Sequence, residues 1–111
     1  MLINEYQKLA LRTANPDLDY TQKLVDGVMG LNGEAGECAD IVKKFLFQNH
    51  DFDRQHFAKE LGDVAWYLAL CANAIDYNLE TIFQMNIDKL KARYPDGFDS
   101  ELSKNRTEGD I

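Results

Sequence analysis

Four acids in two short stretches are the part of this chain best suited to chemistry. "GEAGECAD", residues 33 to 40, places Glu34 and Glu37 three positions apart, and "KELGDVAW", residues 59 to 66, does the same with Glu60 and Asp63. On a helix, positions i and i+3 project from nearly one side, so each pair forms a two-pronged acidic claw. A single Glu-x-x-Glu is more often a solvated helix face than a ligand set. Here the flanks are Ala35, Gly36, Cys38, Leu61, Gly62 and Val64, not the lysines and glutamines of an exposed face. The stretch between the pairs is long enough for the rest of one helix, a turn and the start of the next. If the claws face each other across an antiparallel helix pair, four bare carboxylates share one pocket at prohibitive electrostatic cost. A bound divalent cation resolves this. Oxygen-only ligands fit Mg2+, with Mn2+ as its substitute, and such ions retain waters and bind substrate phosphates as well. The Glu-x-x-His motif of di-iron bundles is absent from the sequence.

Other polar positions are weaker candidates. Asn86, Lys89 and Arg93 stand at i, i+3 and i+7, a helical stripe that offers an amide and two cations to phosphate oxygens. The plain alternative is a surface stripe near a helix C-terminus, where cations are favourable in any case. Lys43 and Lys44, one to two turns past Glu37, are similar candidates. Tyr67 stands one turn beyond Asp63 on the same side, so its ring either stacks on a base and closes the pocket or packs in a core or interface. Trp66 reads as interface packing, His50 as a loop residue and His56 as a polar helix position.

These side chains need elements to position them. With 111 residues and 45% hydrophobic content, the chain forms one domain with a modest core. The balance of 12 basic and 19 acidic residues, net charge -7, argues against a nucleic-acid-binding face and against an anionic membrane surface. Cys38 and Cys71 lack the spacing of a zinc site or a disulfide framework, which points to a reduced, cytoplasmic setting. "MLINEYQKLA" has no basic start followed by an apolar stretch, so no secretion signal is read, and "VAWYLALCANAI" is too short to cross a bilayer.

Turn signals divide the chain. Leu2, Tyr6, Leu9 and Ala10 recur at helical spacing until "TANPD", where Pro16 ends a short first helix. Thr21 is predicted to cap a second helix that runs to "QNHDFD", kinked or broken near Gly30 to Gly33 because glycine costs roughly 1 kcal/mol in a helix interior. Asp53 caps a third helix running to about Tyr77, and Asn78 a fourth that ends at "YPDGF". The remaining "DSELSKNRTEGDI" is polar and expected to be loose unless a partner holds it. The reading is therefore all-α, a four-to-five-helix bundle in one domain over residues 1–98 with a polar tail over 99–111.

From Val64 to Ala72 every residue of the third helix is apolar or aromatic, so no side of it is built for water. A small bundle does not surround one member completely, and packing against a second copy is the usual remedy. A homodimer or higher even oligomer is expected. Trp66, Leu70 and Asn73 are assigned to the partner side, and Phe57, Leu61, Val64, Leu68 and Ile75 to the protomer's own core.

"GLNGEAGECAD", "KELGDVAWYLA" and "NIDKLKARYPDGF", in that order, resemble the all-α nucleoside triphosphate pyrophosphohydrolases of the MazG-like group. The resemblance runs from about Leu31 to Phe98, and "EYQKLALRT" is similar to the first helix of some members. It implies that Glu34, Glu37, Glu60 and Asp63 bind Mg2+. It also implies cleavage of a nucleoside triphosphate between the α and β phosphates, giving monophosphate and pyrophosphate, by a homodimer or homotetramer. Asn86 and Lys89 match the family's Asn-x-x-Lys. A glutamate not fully occupied by metal, Glu34 or Glu37, would serve as general base. The expected function is Mg2+-dependent house-cleaning of the nucleotide pool. A dimeric dUTPase-like enzyme of the same architecture, or a non-enzymatic helical dimer docking a basic partner, are the alternatives.

Overall fold

A computed structural model describes all 111 residues, which form five α-helices, one 3-10 turn and no strand. The contacts divide the chain into two units, residues 1–79 and 80–111. No helix is long and apolar enough to cross a membrane.

The first unit holds α1 (Ile3–Ala10), the 3-10 turn (Leu11–Thr13), α2 (Tyr20–Phe47) and α3 (Arg54–Ala74). The Asp19 carboxylate accepts from the Gln22 N–H at 2.8 Å while Gln22 Oε1 accepts from the Asp19 N–H at 3.0 Å. This reciprocal box starts α2 two residues earlier than the Thr21 cap read from the sequence. The expected break near Gly30 to Gly33 is also corrected: α2 continues for 28 residues. Asp53 caps α3 as expected, its Oδ1 accepting from the His56 N–H at 3.0 Å. Helix α3 stops at Ala74, short of Tyr77, because Asp76 takes a left-handed conformation (φ 59°). The Tyr77 N–H then turns back to the Ala72 carbonyl at 2.9 Å, and the Asp76 N–H to that of Asn73 at 3.0 Å.

Two polar side chains fasten α1 to α3 and its exit. Gln7, buried, donates to the Tyr77 carbonyl and accepts from the Leu79 N–H, at 3.1 and 2.8 Å. The indole Nε1 of Trp66 donates to the Ala10 carbonyl and to Thr13 Oγ1, both at 2.9 Å. This packing reverses part of the expected division of α3. Leu70, assigned to a partner, is 2% exposed within the single chain, and its neighbours Ala69 and Ala72 are buried as well. Leu61, Leu68 and Ile75, assigned to the core, are instead exposed. The side of α3 that the protomer covers is the one turned to α1 and α2.

The second unit begins within α4 (Leu79–Arg93), whose first residue is Leu79, directly after Asn78. The segment expected to be a loose tail contains a further short helix, α5 (Ser100–Lys104). Asp99 caps it, accepting from the N–H groups of Glu101 and Leu102 at 2.8 and 3.3 Å. Polar composition alone does not make a segment loose when its first polar residue satisfies two orphan donors.

Candidate active site

The register of α2 against α3 sets the site. Gly27 lies against Cys71, Gly30 against Tyr67, and Glu34, one turn further along, beside Glu60 and Asp63. The two chains of contacts run in opposite directions, so the helices are antiparallel. A Cβ at Gly27 would stand 2.7 Å from Cys71 Sγ, and one at Gly30 would overlap the Tyr67 ring. Both glycines therefore allow the close approach of α3, and neither breaks α2.

One oxygen from each of Glu34, Glu60 and Asp63 lies within 4.8 Å of the other two. Glu34 and Glu60 are half-buried and Asp63 is exposed. Desolvation between the helices pushes the Glu34 carboxyl above its ordinary 4.5, reinforced by a hydrogen bond with Glu60 and by the charges of Asp63, Glu60 and Glu37. A carboxyl in this position holds a proton more tightly than it would in water, and a cation would take that proton's place. Three hard oxygens converging from two helices fit a divalent ion of the Mg2+ type. Glu37 is exposed and stands outside the three-oxygen cluster, one turn along α2.

His56, read from the sequence as a plain helix position, has Nε2 at 3.2 Å from Glu60 Oε1. The i, i+4 spacing of His56 and Glu60 on one helix was the signal for it. A cavity of about 360 Å³ beside the acids is lined by Glu34, Asp63, Trp66 and Tyr67. The Trp66 and Tyr67 rings meet edge to face, centroids 4.9 Å apart at 83°. Trp66, assigned to an interface, thus forms one wall of the site while its N–H holds α1. From the other side, burial and the Asp63 charge raise the Tyr6 hydroxyl above its ordinary value, which places α1 within electrostatic reach of the acids. Sequence reasoning had treated Tyr6 only as an apolar helix position, and its spacing carries no sign of the acids.

The lysines behave differently. Lys43 and Lys44 each pair with Asp40, at 3.2 and 2.9 Å, so both have a partner within their own helix. Hydrogen bonds from Lys44 and Lys43 hold Asp40 below the ordinary carboxylate value. Asn86, Lys89 and Arg93 are all on α4, in the second unit. Asn86 and Lys89 are exposed, whereas Arg93 is held by Asp110 through two 2.8 Å hydrogen bonds.

The MazG nucleotide pyrophosphohydrolase domain matches residues 26–98, a span that contains both acid pairs and most of α2 with all of α3 and α4. The chain belongs to this family. The MazG match extends slightly beyond the Leu31 to Phe98 resemblance, taking in Gly27 and Gly30 as well as the acids they position. The chain is also similar to the Gene 37 protein of Mycobacterium phage L5, 39% identical over 114 residues that cover 96% of this chain and all of the relative. No solved structure matches the chain significantly.

Proposed function

We propose that the protein is a divalent-metal-dependent hydrolase of nucleoside triphosphates, releasing the nucleoside monophosphate and pyrophosphate. The observation that carries this reading is the convergence of Glu34, Glu60 and Asp63 from two antiparallel helices within the MazG-matched span. These three carboxylates would hold Mg2+, or Mn2+ in its place. When bound, the ion neutralises phosphate charge and lowers the pKa of water at the site.

The chain's own groups would do the rest. Glu37 stands outside the cluster and is exposed, so it is left free of the ion to accept the proton of the attacking water. His56 orients Glu60 through the contact between Nε2 and Oε1. Tyr67 and Trp66 line the cavity with aromatic surface suited to a nucleobase. Asn86 and Lys89 on α4 offer an amide and a cation suited to phosphate oxygens, and Lys43 and Lys44 would each have to leave Asp40 to serve in the same way. Free Cys38 and Cys71 and a nucleotide-pool substrate fit a cytoplasmic, house-cleaning role.

Assembly as a homodimer or homotetramer belongs to the same proposal. Val25, Val28, Met29, Val42 and Leu46 on α2, with Leu61 and Leu68 on α3 and Ile75 just past its end, are exposed in the single chain. So much apolar surface on two adjacent helices is the mark of an interface. The deciding experiment is incubation with a panel of nucleotides and Mg2+, scored for pyrophosphate against orthophosphate. Pyrophosphate is expected, and no turnover on any nucleotide would sink the reading.

A further inference from the structure

The bond between Arg93 and Asp110 has the form of a ligand in a binding site. Arg93 Nε donates to Asp110 Oδ2 and its terminal nitrogen to Oδ1, both at 2.8 Å, with the two side chains 11% and 14% exposed. This parallel fork is what a guanidinium presents to any pair of oxygens on one anion, phosphoryl oxygens included. Arg93 also lies 6.0 Å from the Tyr94 ring centroid, which helps fix its plane. Lys89 lies one turn back on α4, and a cavity of about 400 Å³ lined by Lys89, Arg93, Glu108 and Asp110 opens around the pair. The Lys89 and Arg106 charges reinforce Arg93 in holding the Asp110 carboxyl below its ordinary 3.8, so three cations act on one carboxylate.

The carboxylate is delivered by a tight turn. The Asp110 N–H bonds the Thr107 carbonyl at 3.0 Å, and Gly109 takes a φ of 87° that a side chain would resist. The hydrogen bonds that tie this turn to α4 are those from Arg93. A segment tethered by one fork can be released by a single competing anion, and a polyphosphate brings more charge to the three cations than a carboxylate does.

We propose that Arg93, with Lys89 and Arg106 beside it, is an anion site for phosphoryl oxygens that the chain's own Asp110 fills until a polyphosphate displaces it. The choice of polyphosphate as ligand rests on the hydrolase reading above. The tail then acts as an internal competitor, and the affinity of the site is set by how readily residues 107–111 let go.

Tripolyphosphate in EDTA is the probe, titrated calorimetrically into the full chain, into Asp110→Asn and into a chain ending at Arg106. Both variants are expected to bind several-fold more tightly than the full chain, and adding Arg93→Gln should abolish the gain. Amide exchange at residues 107–111 of the full chain should accelerate when tripolyphosphate is added. Equal affinity in all three chains, or tail protection unchanged by the ligand, overturns the proposal. Nucleotide turnover measured alongside separates the two readings: turnover without competition removes this site alone, and competition without turnover upholds the site while removing the hydrolase.

Discussion

The ring of Tyr67 occupies the space that a side chain at Gly30 would need, so α3 lays an aromatic ring directly on the α2 backbone one turn from Glu34. Replacing Gly30 by alanine gains about 1 kcal/mol of helix propensity but forces the ring or the helix to move, at a cost of roughly 1–3 kcal/mol. A net loss of stability is expected for Gly30→Ala, read from urea unfolding, together with weaker Mg2+ binding because the acids no longer meet. A variant as stable as the parent would show that the two helices are not held in this register.

Removing a carboxylate should separate activity from stability. Asp63→Asn should abolish turnover, and Glu37→Gln should lower it by about 100-fold or more if Glu37 is the base. Neither should unfold the chain, since relief of repulsion offsets the lost contact. Mg2+ at a hundred times its dissociation constant should stabilise the parent by about 2.7 kcal/mol, and Asp63→Asn by far less. Melting curves with and without Mg2+ check this, and an unchanged parent would remove the metal site.

The metal-free protein should respond to acid in two opposite stages. The Glu34 value is raised by desolvation and its acidic neighbours, so between that value and 4.5 the folded chain binds a proton that the unfolded chain releases. Stability therefore rises as pH falls through this window. Asp40, lowered by Lys44 and Lys43, and Asp110, lowered by Arg93, work the other way, and their contribution is lost as pH falls below 3.8. Melting temperature in EDTA should pass through a maximum on mild acidification, and Glu34→Gln should remove the rising limb. Mg2+ should reverse the first stage, because protons then compete with the ion.

Trp66→Phe keeps an aromatic ring but removes part of the indole's volume together with the N–H shared by the Ala10 carbonyl and Thr13 Oγ1. The expected cost is about 1–2 kcal/mol, with faster amide exchange over residues 3–13 than over α2. Uniform exchange along both helices would mean that α1 is not held by this indole.

The covered and open sides of α3 give a sharper assembly test than the apolar run as a whole. Leu70→Lys would bury an ammonium inside the protomer and is expected to prevent folding. Leu68, 38% exposed in the single chain, is the better probe: Leu68→Lys should yield a folded monomer where the parent scatters light as a dimer or tetramer. A parent that is monomeric at low micromolar concentration would refute the assembly.

Much of this architecture was legible in the sequence. The Asp53 cap, the helical rhythm and the meeting of Glu34 with Glu60 and Asp63 follow from local spacing, which a one-dimensional reading captures, while Glu37, read as the fourth of the set, stands outside it. What escaped it depends on neighbours far along the chain. Gly30 looked like a break because its reason for being small lies at Tyr67. Leu70 reads as a partner contact and Leu68 as core, the reverse of their exposure, since only the docking of α1 and α2 decides which is covered. Arg93 looked available to phosphate because its partner, Asp110, comes from a segment whose composition resembles that of a free tail.

The unbroken course of α2 has a dynamic consequence. A helix of 28 residues spans about 42 Å, and Glu34 sits near its midpoint, as far as the rod allows from the fraying that begins at either end. The backbone carrying this acid then has no low-energy local opening of its own. Its amides should exchange only when the whole unit unfolds, which makes the middle of α2 the stationary anvil against which every looser part of the site is measured.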